Sequence, residues 1–199
     1  LFNYKVNSNW LILGGPLTGS ANGGWDAGWG DKQLGNWNGI TGLTWTSDDK
    51  ATTSFHLSGT YGKTSEQSSE IWGFYNAVLQ HKITPRTQIV LHHVYGHAGG
   101  VLLNNPKYAN VVKDAEWFSA IAHLYHDLTD NVSVGIRGEW FRDQDGFRNP
   151  SPFRVAAATT NVNGIPVSYA GNINSVTIAP ADYYNFTAGF NWKIARTLK

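Results

Sequence analysis

The stretch DYYNFTAGFNWK, residues 182–193, alternates without a break. Tyr184, Phe186, Ala188, Phe190 and Trp192 fall on one parity. Tyr183, Asn185, Thr187, Gly189, Asn191 and Lys193 fall on the other. Successive side chains of a strand point to opposite faces, so this period of two predicts a strand with one apolar and one polar face. At about ten residues, such a strand is long enough to cross a bilayer when tilted. The apolar parity would then meet lipid and the polar parity a lumen.

Moving back along the chain, the pattern recurs. Val132, Val134, Ile136, Gly138 and Trp140 alternate with Ser133, Gly135, Arg137, Glu139 and Phe141, which turns Arg137 and Glu139 inward. In 51–61, Thr53, Phe55, Leu57 and Tyr61 oppose Ser54, His56, Ser58 and Thr60. Segments 37–46, 70–82, 87–97 and 115–126 mix both kinds of residue on both parities, and their faces stay unassigned. With 1–6 and 9–14 the reading gives about nine strands.

The connections alternate too. Tight polar turns sit at Asn7-Ser8-Asn9, Ser47-Asp48-Asp49-Lys50, Thr84-Pro85-Arg86 and Thr129-Asp130-Asn131, and longer ones span 15–36, 62–69, 98–114 and 143–181. Short turns at one end and long loops at the other are the layout of an outer-membrane β-barrel. The predicted fold is all-β, an antiparallel up-and-down transmembrane barrel forming a single domain over 1–199. Single-chain bacterial barrels have even strand numbers. Nine strands, with a further polar turn at Ala195-Arg196-Thr197, therefore predict an incomplete portion of a larger barrel. All seven prolines are expected in loops or turns.

Composition narrows the field. Lys plus Arg is 15 and Asp plus Glu 14, without a basic stripe for nucleic acid. Charged residues are 15% of the chain, against about 25% in soluble domains. Without cysteine there is no disulfide framework, cysteine-ligated zinc or thiol nucleophile. No run of eighteen apolar residues exists, so the sequence holds no membrane-spanning helix. Mean hydropathy is −0.31, a value that alternating strands produce by averaging. Trp10, Trp37, Trp45, Trp72, Trp117, Trp140 and Trp192 lie near expected strand ends, where interfacial girdles sit.

Three stretches, GFYNAVLQHKITPRTQIVLHHVYG (73–96), VGIRGEWFRDQDGFR (134–148) and YYNFTAGFNWKI (183–194), resemble the β-barrel porin-2 (OmpL-like) family of Gram-negative outer membranes. In the middle stretch Arg137, Glu139, Trp140, Phe141, Arg142, Asp143, Asp145 and Gly146 follow that family's run of arginine, acid and aromatic residues into an Asp-Gly loop. The resemblance implies a bacterial outer-membrane barrel that passes small solutes passively. It carries no catalytic motif, and it implies a further Arg/Glu-bearing strand after Lys199.

Sites of chemistry are sparse. His81, His92, His93, His97, His123 and His126 cluster in sequence, but adjacent His92 and His93 must face opposite ways, and no ligand motif joins the group. No metal site is assigned. Asp143-Gln144-Asp145-Gly146 resembles part of a calcium loop without its third acid or closing Glu, and a polar turn explains it equally well. Ser119 and His123 are about 13 Å apart along one strand, too far for proton transfer, so no enzyme activity is expected. The glycine-rich stretches lack the Lys-Ser/Thr of a phosphate-binding loop and read as loops, Gly14-Gly15 and Gly99-Gly100 included.

The expected pore-lining residues are His56, Arg137, Glu139, Asn185 and Lys193, with no cofactor. Either they tune transport or they simply satisfy one another. Partners are outer-membrane lipid and small polar solutes, with a second copy or envelope proteins meeting the long loops. Three functions follow from different classes: a porin-like channel, a non-conducting structural scaffold barrel, and a soluble β-sandwich binding carbohydrate through the Trp/Gly/Asn-rich 23–46.

Overall fold

In the computed structural model the tight turns are held by the side chains that flank them. Asn7 Oδ1 accepts the N–H groups of Asn9 and Trp10, both at 2.9 Å. Thr129 Oγ1 does the same for Asn131 (3.2 Å) and Val132 (3.0 Å). Asn and Thr are common in turns because their short polar side chains can capture nearby amides in this way. Thr84 Oγ1 accepts Arg86 N at 3.2 Å around Pro85, whose fixed φ suits a turn.

The structure describes residues 1–18, 37–47, 51–63, 71–105, 108–146, 148, 155–162, 165–171 and 180–193. Eleven strands run through them: β1 (Phe2–Lys5), β2 (Trp10–Thr18), β3 (Trp37–Thr46), β4 (Thr53–Gly62), β5 (Trp72–Thr84), β6 (Thr87–Asn105), β7 (Tyr108–Asp127), β8 (Val132–Asp143), β9 (Val155–Val162), β10 (Ile165–Gly171) and β11 (Ala181–Trp192). Nine form one sheet in the order β1-β2-β3-β4-β5-β6-β7-β8-β11, and β9 and β10 form a separate antiparallel pair. Every pairing is antiparallel, as an up-and-down meander requires. The sheet does not close among the described residues: its edges are β1 and β11.

Four expectations about connections need correction. Residues 98–105 and 108–114 are not a loop; they extend β6 and β7 into a hairpin reaching Asn105↔Tyr108. The register shifts there between Ala98 and Val101, a bulge holding Gly99-Gly100, with Gly100 at φ +62°. A bulge suits glycine, which takes the positive φ at Gly100 without a side-chain clash. Within 143–181, the strands β9 and β10 replace part of the expected loop. Strand β2 runs on through Gly14-Gly15 to Thr18, which places Pro16 inside it. Pro166 likewise lies inside β10. Pro16 sits two residues beyond the last β1–β2 pair, Phe2↔Gly14, where β2 has a neighbour on the β3 side only. That is edge-like surroundings, in which a missing N–H is tolerated.

Packing does not resemble a soluble core. Among the described residues the buried hydrophobics are Ala98, Ala115 and Trp117, with Trp72 and Phe141 against them. Meanwhile Tyr184, Phe186 and Phe190 are 78%, 75% and 78% exposed. A contiguous apolar surface of that kind marks a face that meets lipid or a partner. The described residues contain no second large sheet to cover it, as the β-sandwich reading would need.

Candidate functional site

Directly opposed residues in an antiparallel ladder share a face. The register therefore settles the faces that periodicity left open. From Arg137 the ladder passes to His123 and Thr187. From Glu139 it passes through Ile121, His92, Val78 and His56 to Thr44 on one side, and to Asn185 on the other. His56, Glu139 and Asn185 thus stand in one transverse row, with Arg137 in the row beside it. Lys193 follows β11 with the same parity as Asn185, and its N–H bonds Asn131 O at 2.8 Å. All five residues expected to line a pore fall on a single face, here called the Arg137 face.

The two faces differ in chemistry. Up to the Gly99-Gly100 bulge, every Asn and Gln within the nine strands lies on the Arg137 face: Asn3, Asn38, Asn76, Gln80, Gln88, Asn185 and Asn191. The opposite face, called the Phe186 face, carries Leu43, Phe55, Leu57, Leu79, Leu91, Leu124, Ile136 and Phe190. An amide facing hydrocarbon loses its water without gaining a partner, so such segregation follows if one face meets lipid.

Aromatic residues edge the Phe186 face at both ends. Trp10 and Trp45 are directly opposed at the turn end, with ring centroids 6.4 Å apart. Trp37, Tyr61, Tyr75, Tyr95, Trp140 and Tyr184 lie towards the loop end. Trp37 and Trp45 are eight residues apart on β3, about 26 Å along the strand and about 20 Å once a tilt of 35–45° is projected. Polar groups on this face are engaged at its rims. Asp182 accepts from Trp140 Nε1 (2.9 Å) and Arg142 Nη1 (2.8 Å), and Tyr95 OH donates to Glu116 Oε1 at 2.7 Å. Trp72 and Trp117, expected in a girdle, instead lie on the Arg137 face, opposite Ala98 and Asp143 respectively. Their alternation was masked because their strands mix residue types on both parities.

The Arg137 face is a hydrogen-bonded wall. Arg137 Nη2 bonds Glu139 Oε2 at 2.5 Å, and Ser119 Oγ donates to Glu139 Oε1 at 3.4 Å. His92 Nε2 bonds Asn76 Oδ1. His56 Nδ1 pairs with Thr44 Oγ1 at 2.8 Å, and His123 Nδ1 with Tyr125 OH at 3.0 Å. Thr187 Oγ1 donates to Asn185 Oδ1 at 3.0 Å. Sequence periodicity missed His92 and His123 here. Only the pairing of β6 and β7 with β8 reveals them, since neither strand alternates cleanly by itself.

The Asp143–Asp145 segment has a structural job. Asp143 is fully buried and accepts Arg148 N at 2.7 Å; Asp145 Oδ2 accepts Glu116 N at 2.9 Å; Gln144 N donates to Glu116 O at 3.0 Å. Gly146 takes φ +69°, a left-handed turn position suited to glycine. The turn folds back on the Arg137 face, where the Arg148 guanidinium lies 4.8 Å above the Trp117 ring. The six clustered histidines divide between faces: His92 and His123 on one, His81, His93, His97 and His126 on the other. No group of metal-ligating side chains converges among the described residues.

A family model described as beta-barrel porin-2, OmpL-like matches residues 1–198. No curated protein and no solved structure matches the chain.

Proposed function

This chain belongs to the beta-barrel porin-2, OmpL-like family, and from that premise we propose that it is an outer-membrane channel for passive diffusion of small hydrophilic solutes or ions. The Phe186 face meets lipid and the Arg137 face lines the lumen. One observation carries this reading: the strand amides and the Arg137–Glu139 pair lie on one face of a continuous nine-stranded meander, while the other is apolar between two aromatic belts. Hydrated solute moves along a wall whose polar groups replace part of its lost water. In this reading no step is catalytic, and His56, Arg137, Glu139, Asn185 and Lys193 act only through polarity, charge and the room they leave.

The test is single-channel recording of the full-length protein in planar bilayers. Discrete, ohmic openings are expected; their absence from correctly folded, heat-modifiable protein would sink the channel. A non-conducting scaffold barrel is the second reading. What favours it is the covered state of the Arg137 face at the loop end, where Ala98 and Ala115 are 0% exposed and Arg148 lies over Trp117.

A further inference from the structure

Acidic and basic side chains are not distributed alike between the two faces. On the Arg137 face, five strongly basic groups among the described residues come from separate places: Lys5 on β1, Lys82 on β5, Arg137 on β8, Arg148 beyond β8 and Lys193 beyond β11. All but Arg137 are exposed. The acids on that face are Glu139, Asp143 and Asp127. Glu139 is paired with Arg137, and Asp143 is sealed from solvent behind the Arg148 amide. Asp127, at the turn end, is the one exposed acid on this face among the described residues. The other acids among the described residues go elsewhere. Glu116 and Asp182 lie on the Phe186 face, Asp130 sits in a turn 3.6 Å from Arg86, and Asp114 and Asp145 bond backbone amides at the loop end.

This segregation arises in a chain whose formal net charge is only +1. The bases also stand at three heights. Arg148 is held above Trp117 at the loop end, Arg137 is six residues along β8 from Asp143, and Lys193 stands level with Asn131, six residues further still. Six residues of strand are about 20 Å. A walled channel with low-dielectric sides focuses a field of one sign and concentrates counter-ions within it. The ring of Trp117 keeps the Arg148 charge in place at the mouth, since a guanidinium is attracted to an aromatic face.

We infer that the channel prefers small anions over cations, with Arg148 on Trp117 as the selective residue at the loop-end mouth and Lys82 and Lys193 drawing anions out at the turn end. The inference rests on the channel reading and adds the class of solute to it.

The experiment is the zero-current potential of the full-length protein across a KCl gradient, with folding of each variant checked by heat-modifiable mobility. The wild type is expected to pass chloride in preference to potassium. Arg148→Gln and the double variant Lys82→Gln/Lys193→Gln should each lower the chloride-to-potassium permeability ratio by about twofold or more. Asp127→Asn should move it the other way, an outcome that general damage to the barrel does not produce. Openings that favour potassium or neither ion overturn the inference and leave the channel standing, as do variants that leave the ratio unmoved. Absence of any opening overturns both.

Discussion

The indole of Trp117 lies against the backbone of Gly96, its directly opposed partner across the β6–β7 ladder, in the space that a side chain at residue 96 would occupy. The Arg148 guanidinium lies over the same ring, 4.8 Å from its centroid. Gly96→Val would overlap the ring and force it to move. Overpacking of this kind costs about 1–3 kcal/mol. By contrast, a Cβ at Gly138 meets nothing within 4 Å. In urea unfolding of the bilayer-reconstituted protein, Gly96→Val should lower the midpoint and Gly138→Ala should leave it nearly unchanged. Equal effects would mean the indole is not seated there.

Neighbouring residues on β7 test the face assignment. Because the chain has no cysteine, His123→Cys and Ala122→Cys each introduce a unique thiol. His123 is opposed to Arg137 and Ala122 to Gly138. A charged, membrane-impermeant thiol reagent should label residue 123 in liposomes and spare residue 122. The reverse pattern would exchange the two faces.

Energetics should split the same way on β11. Phe186 is 75% exposed on the apolar face, and Thr187 is the next residue, opposed to Arg137. Arginine facing lipid near the midplane costs about 2–4 kcal/mol in a barrel, and far less in the lumen. Phe186→Arg should therefore impair refolding into vesicles much more than Thr187→Arg. The measurement is the folded fraction against denaturant for both proteins.

The buried carboxylate of Asp143 holds the turn that carries Arg148. Removing the acceptor takes the partner from the part-buried Arg148 amide, a loss of about 1 kcal/mol. Asp143→Ala should destabilise by that order, and Asp143→Asn, which keeps a carbonyl oxygen, by less. Since Asp143 and Asp145 both turn an oxygen to a backbone amide, the unfolding midpoint is expected to be the same with calcium as with a chelator. A drop on chelation would give the loop back its calcium role.

Much of the architecture was legible from residue order because strand periodicity and turn chemistry are local. The alternation in 182–193 and around Arg137 reappears as the two faces of β11 and β8. The turns formed where Asn7, Thr84 and Thr129 predicted them, through the side-chain bonds such residues make. Where tertiary pairing extends a strand, local signals mislead. Gly99-Gly100 looked like a loop and is a bulge, because the ladder beyond it continues to Asn105↔Tyr108. Pro16 was expected in a loop and lies inside β2, because one flank of β2 is unpaired at that point.

By itself the sequence determined the fold class, the tight turns at Asn7, Thr84 and Thr129, and the parity that Arg137 shares with Glu139 and Asn185 with Lys193. Those depend on interactions within a few residues. Only the tertiary structure decided that His92 and His123 share their face, that Trp72 and Trp117 leave the aromatic belt, and that Arg148 returns to cover Trp117. A strand that mixes residue types has no face until a neighbour is registered against it. The ladder supplies that register through backbone hydrogen bonds, which do not depend on what the side chains are.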